Sequence, residues 1–181
     1  MPRILPVTDD TALPAAKPLL AAVKQQLGMV PNLFSTIAQS PESLAALLGA
    51  TGGLANASLS AREIELVNLY TSELNGCGYC ISAHVALGKR AGLTADELDR
   101  SRLGDATSPR ERAILGLVRR VVRTGGASAG TELAQAREAG VSDRDLIEVL
   151  MHVALKTFTN AVAVIAQTDI DFPKAARLPT P

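Results

Sequence analysis

Cys77, Cys80 and His84 fall within eight residues of one another in the segment NGCGYCISAH, and they include both cysteines and one of the two histidines of the chain. On a helix these positions stand at i, i+3 and i+7, so both sulfurs and the imidazole share one face. Asn75-Gly76 is a turn signal, which puts the cysteines in the first turn of the helix that follows. Unpaired backbone N–H groups and the helix dipole stabilise a thiolate there, and such placement lowers a cysteine pKa from ~8.5 into the range ~3.5–7.5. The pattern predicts Cys80, one turn from His84, as the more acidic and exposed thiol, with Cys77 close enough for a disulfide that needs little backbone movement. Glu65 joins them by register. It lies ten residues before Asn75 while His84 lies nine after it, so the two stand level in an antiparallel helix pair. A partly buried carboxylate facing an imidazole fixes its tautomer and raises its basicity. Asn68 and Ser72 share the face of Glu65 and are candidates to line the site. Tyr79, between the cysteines, is either a substrate contact or a surface aromatic.

Other chemistries fit these residues less well. A zinc site would combine Cys77, Cys80 and His84 with a fourth ligand such as His152, but tetrahedral closure is hard from a single helix face. A c-type haem needs histidine directly after the second cysteine, where this chain has Ile81. The pair could also be two small buried apolar residues. Its place at a helix start favours a redox dithiol, with no metal at the site. His152 has no acid or thiol near it in sequence and reads as a packed or rim histidine.

The elements that must hold these groups read as helix after helix. Apolar residues at helical spacing run from Ala15 to Leu27 and stop at Gly28. A short piece covers 32–38, and Ser40-Pro41 opens the next helix with proline in its first turn. Ser60 with Glu63, Thr94 with Glu97 and Ser108 with Glu111 have capping-box spacing. Gly92 and Gly140 close helices, and a last long helix starts near Ser142 and runs to about Gln167. No alternating strand pattern occurs. The fold class expected is all-α, a helical bundle.

Laid against itself at an offset of 48 residues, the chain shows an internal duplication of a helical-hairpin unit plus the start of a third helix. SARE at Ser60 meets SPRE at Ser108, and RAGLTADEL at Arg90 meets EAGVSDRDL at Glu138. Caps and stops coincide throughout, while the chemistry does not. Glu65 is matched by Ala113, Cys77 by Gly125, Cys80 by Ser128 and His84 by Glu132. Two units sharing only a scaffold role would keep similar types at these four positions.

Composition bounds the rest. The 181 residues suit one domain, 1–181, with a core at about 40–170 and an N-terminal helical extension at 1–39. Eighteen basic and eighteen acidic residues cancel, and with aromatics at 3% neither phosphate attraction nor base stacking points to nucleic acid. The longest purely apolar run, AVAVIA at 161–166, is far shorter than the ~20 residues of a membrane span. The first ten residues lack the apolar core of a signal peptide. A cytoplasmic protein is the expectation, and in that reducing compartment a CxxC pair reads as catalytic or metal-binding. The helix from Ser43, SLAALLGATGGLA, is small and apolar nearly all round and must be covered on most sides. A homo-oligomer is therefore expected.

Glu65, an eleven-residue gap, Cys77, two residues, Cys80, three residues and then His84 form a pattern that resembles the active site of the alkylhydroperoxidase D-like family. That family belongs to the carboxymuconolactone decarboxylase superfamily of all-helical proteins. The resemblance covers about 40–170, and the wider chain looks like the peroxidase-related members. It implies a thiol-dependent peroxidase that reduces hydroperoxides through a dithiol/disulfide cycle. Cys80 would be peroxidatic, Cys77 resolving, and His84 and Glu65 the proton relay. No bound cofactor is implied, but an external dithiol or disulfide reductant, protein or small thiol, is required. The family's assemblies are dimers, trimers and their multiples. One departure is that Tyr79 stands where the best-studied branch has a second histidine. Two alternatives are a dithiol–disulfide oxidoreductase acting on a protein partner, and a decarboxylase-like or non-catalytic member, against which the cysteine pair counts.

Overall fold

The computed structural model describes residues 1–178, and among them every regular element is a helix. In chain order these are α1 (Ala16–Leu27), α2 (Asn32–Ile37), α3 (Pro41–Gly53), α4 (Ala61–Leu74), α5 (Gly78–Arg90), α6 (Ala95–Arg102), α7 (Pro109–Thr124), α8 (Gly130–Glu138) and α9 (Asp143–Ala166). Helix α4 is central and packs on α5, α6, α7 and α9, while α1, α2 and α3 form a layer over one end of α5 and α9.

Local chemistry explains the boundaries. Ser60 and Glu63 form a reciprocal capping box on α4, and Thr94 and Glu97 one on α6. A further box, Ser142 with Asp145, starts α9, with the shorter aspartate in the glutamate's place. The Ser108–Glu111 box expected on α7 does not form, because Ser108 makes no side-chain cap bond and Glu111 accepts instead from Arg62 Nε at 2.6 Å. Arg62 also reaches Glu97, and Arg110 pairs with Glu63 at 2.7 Å and Asp145 at 3.0 Å. These ion pairs tie the starts of α4, α7 and α9 together and so fix the register of everything further along α4.

Two cores result. The first joins α4, α7 and α9 through Leu66, Leu69, Ile114, Leu115, Val118 and Val149, all nearly inaccessible. The second lies at the other end, where Leu33, Ile37, Leu44 and Leu47 close over Cys77, Tyr79 and Cys80. After α9 the chain crosses this end as an extended strap. Asp171 Oδ2 accepts from Asn32 N–H at 2.7 Å, Ala175 N–H donates to Ser82 Oγ at 3.2 Å, and Arg102 Nη1 donates to Ala176 O at 2.8 Å.

Helix α9 alters one expectation. With 24 residues and a mean hydropathy of 1.6 in its most apolar stretch, it is long and apolar enough to cross a membrane, although no uninterrupted apolar run is. Single polar residues break the runs without lowering the average. Several of them, Glu148, His152, Thr159 and Asn160, are buried in the bundle, as in the core helix of a globular fold. Its opposite face leaves Ile147, Leu150, Met151, Phe158 and Ile165 exposed.

Candidate active site

The α4–α5 turn builds the site. Asn75 ends α4, Gly76 takes a φ of +65°, where a side chain would be strained, and Cys77 becomes the N-cap of α5. Cys77 Sγ accepts the backbone N–H of Cys80 at 3.3 Å, and the two free thiols hydrogen-bond each other. Asn160 on α9 braces the turn: its Oδ1 accepts from Asn75 Nδ2 at 3.0 Å, and its Nδ2 donates to Ser72 Oγ at 3.1 Å. Its amide also lies within hydrogen-bonding reach of the sulfurs.

The two thiols are electrostatically unequal. The S–H donated by Cys77 lowers the Cys80 pKa to about 7, helped by the positive charge of Lys156 and by the Asn160 amide, against the cost of burial. Cys77 is pushed well up by the same bond to Cys80 and by burial. The greater acidity of Cys80 agrees with its position in the first turn of a helix. Its expected exposure is corrected: Cys80 is 2% exposed and Cys77 1%, because α2, α3 and the strap fold over that turn.

Glu65 and His84 meet as the register requires, with Glu65 Oε2 2.7 Å from His84 Nδ1. Gly88, one turn beyond His84, lets α5 pack closely on Leu93 and Leu98, since a Cβ there would stand 2.6 Å from Leu98 Cδ2 and 3.1 Å from Leu93 Cδ1. The carboxylate accepts from Nδ1–H, which leaves Nε2 as the acceptor. That acceptor faces Lys156 Nζ on α9, in a short hydrogen bond. Burial holds the imidazole pKa below its ordinary value, with the Lys156 charge adding to it and Glu65 opposing. Burial likewise lowers Lys156. No hydrogen bond joins His84 to either sulfur among the described residues, because the lysine occupies the ring nitrogen that would make it.

Lys156 and Asn160 are thus the groups at the candidate site that motif reasoning missed. The available signal was that Lys156 is the sole charged residue from Val149 to Ala166. His152, one turn before Lys156, is 9% exposed, and its Nε2 has no hydrogen-bond partner among the described residues.

The remaining candidates are placed unequally. Ser72 is fully buried and reaches the turn through Asn160. Asn68, one turn earlier on α4, is 8% exposed. Tyr79 is not a surface aromatic. It is 5% exposed, its hydroxyl accepts from Leu33 N–H at 3.3 Å, and its ring stands edge-on to Phe172 of the strap at 5.8 Å. Among the described residues no cluster of three or more His, Cys, Asp and Glu has the geometry to hold a metal ion.

Comparison with known proteins agrees with this architecture. A family model described as the carboxymuconolactone decarboxylase family matches residues 41–120. An uncharacterized peroxidase-related protein with an alkylhydroperoxidase core, from Ralstonia eutropha, superposes with a TM-score of 0.82 at 25% identity, covering 93% of this chain and 92% of that one. A peroxidase-related protein from Silicibacter sp. TM1040 gives 0.79 at 22% identity and 93% of each chain. The debrominase Bmp8, solved in complex with 2,3,4-tribromopyrrole, gives 0.78 at 17% identity, covering 93% and 91%. No curated protein matches the chain.

Proposed function

The chain belongs to the alkylhydroperoxidase D-like group of the carboxymuconolactone decarboxylase superfamily, and from that premise we propose that it is a thiol-dependent peroxidase. The observation that carries this reading is a pair of free thiols at a helix start, Cys77 as the N-cap and Cys80 in the first turn, whose contact lowers the Cys80 pKa and raises that of Cys77. A hydroperoxide oxidises one thiolate and needs a second thiol to resolve the product, and this pair divides those tasks. Cys80 attacks the terminal peroxide oxygen and becomes a sulfenic acid. Cys77 then displaces water from it and closes the disulfide. Glu65 and His84 stand behind the pair as its proton-handling groups.

Apolar walls from Leu33, Ile37, Leu44 and Leu47 suit a hydroperoxide with an apolar body. Ser72 and Asn68 are buried polar groups of α4 that would meet the peroxide, and Tyr79 belongs to the same apolar wall. The reductant is a dithiol, small enough or flexible enough to reach sulfurs that are almost inaccessible. That burial weighs against the reading in which a protein disulfide is the natural oxidant.

Incubating reduced protein with tert-butyl hydroperoxide and dithiothreitol tests the proposal. Wild type turns over repeatedly, while Cys77→Ser consumes one peroxide per chain and stops with sulfenic acid on Cys80. A Cys77→Ser protein that cycles at the wild-type rate would remove the resolving role. The exposed apolar residues of α9 and the small residues of α3 also support assembly into a homo-oligomer, which light scattering reads as a mass above 18.9 kDa.

A further inference from the structure

Lys156 has no carboxylate partner among the described residues, although it is partly buried and surrounded by ionisable groups. Its hydrogen bond goes to His84 Nε2, a neutral acceptor. Facing it are Glu65 from α4, Cys77 from the N-cap of α5, Cys80 and His84 from α5, and His152 from its own helix, with Glu148 beyond His152. Glu148 is already bound to Ser58, Leu59 and Arg144, and Glu65 to His84. The anion left for this ammonium is the Cys80 thiolate. A lysine in an otherwise apolar stretch costs stability when buried, and a purely structural contact to histidine could be made by a neutral side chain.

We propose that Lys156 is a catalytic residue of this site, the cation that holds Cys80 as a thiolate and the acid that protonates the oxygen leaving the peroxide. The inference rests on the peroxidase reading for its second half only. In the first step the Cys80 thiolate forms a bond to the terminal oxygen of RO–OH, and the O–O bond breaks. The departing RO⁻ takes a proton from the Lys156 ammonium. The products are Cys80–SOH, ROH and a neutral amine; the sulfur is oxidised by two electrons and the peroxide reduced by two. In the second step the amine takes the Cys77 proton, the Cys77 sulfur bonds to Cys80, and the hydroxide released recovers that proton as water. A dithiol then reduces the disulfide by exchange, becoming a disulfide itself. The Cys80–SH so formed passes its proton to the amine, which restores the thiolate–ammonium pair.

Glu65 and His84 become positioning residues in this scheme. Glu65 keeps the His84 proton on Nδ1, so that Nε2 remains an acceptor aimed at Lys156. Tyr79, at the position of the motif's second histidine, is turned away, with its hydroxyl accepting from Leu33 N–H.

Two variants separate charge from proton donation. In Lys156→Met the midpoint for alkylation of Cys80 by iodoacetamide rises from about 7 toward the ordinary thiol value of ~8.5. Oxidation by tert-butyl hydroperoxide, measured at a pH where alkylation shows the thiol fully ionised, remains slower by about 10² or more, the usual worth of a general acid. Lys156→Arg returns the alkylation midpoint toward wild type and leaves the oxidation slow, since guanidinium does not release its proton. An unshifted midpoint in Lys156→Met, or wild-type oxidation in either variant, overturns the proposal. Wild-type protein that the hydroperoxide leaves reduced would instead overturn the peroxidase reading, and the alkylation midpoints would still decide whether Lys156 holds the anion.

Discussion

The hairpins α4–α5 and α7–α8 are built on the same plan, yet they differ at the turn. In the first, Gly76 supplies a single left-handed residue and the helix restarts at once, so that Cys77 is an N-cap and Cys80 lies in the first turn. In the second, Gly125, Gly126 and Ser128 all have positive φ, and α8 begins only at Gly130. Ser128, the counterpart of Cys80, therefore sits outside any helix and loses the N–H groups that stabilise an anion. Glu132, the counterpart of His84, accepts from Arg120 at 2.8 Å as an ordinary ion pair, and Ala113 replaces Glu65. One hairpin became a site because its second helix starts immediately after the turn and because a third helix reaches it. That third helix is the second difference. The counterpart of α9 in the first unit is α6, only 8 residues long against 24, and the extra length of α9 is what delivers Lys156 and Asn160.

The largest break in the comparison comes from the acid behind the imidazole. Glu65→Gln can offer an amide N–H to His84 Nδ1 and reverse the tautomer, and it slows Cys80 oxidation at neutral pH by about 10²–10⁴. Glu132→Gln, at the half-buried counterpart position of the other hairpin, leaves that rate unchanged. Rapid mixing with hydroperoxide, followed by quenching and thiol quantitation, measures both.

A smaller and sharper contrast lies in acidity. Alkylation of Cys80 is expected to have its midpoint at about pH 7. Because the pKa is depressed, the reactive thiolate is present above that pH and is lost as pH falls through it. A thiol introduced by Ser128→Cys titrates near ~8.5, so the two differ by about 1.5 pH units. Equal midpoints would show that the helix start and Lys156 contribute nothing.

The smallest effect concerns the scaffold. Ser60→Ala removes a formed capping box and costs about 1 kcal/mol. Ser108→Ala removes no cap bond and stays within about 0.5 kcal/mol. Urea denaturation of both variants checks the pair.

Much of this was legible in the sequence, for local reasons. Caps, stops and the 48-residue offset are written in neighbouring residues, and the level of Glu65 with His84 follows from counting outward from one turn. The Ser108 box failed because Arg62, 49 residues before Glu111, competes for that carboxylate. The burial of Cys80 and Tyr79 depends on α1–α3 and on a strap from the far end of the chain, which no local pattern announces. Lys156 was hidden in the same way, since its role exists only once α9 crosses α5. A lone charge in the apolar stretch from Val149 to Ala166 was the one trace it left.

The account stands on a redox-active pair at Cys77 and Cys80, and a thiol count under denaturing conditions tests it most directly. Reduced protein contains two thiols, the whole cysteine content of the chain. One equivalent of tert-butyl hydroperoxide at pH 7.5, roughly where Cys80 is ionised, should leave none, and dithiothreitol should restore both. Two thiols remaining after the peroxide would contradict the account.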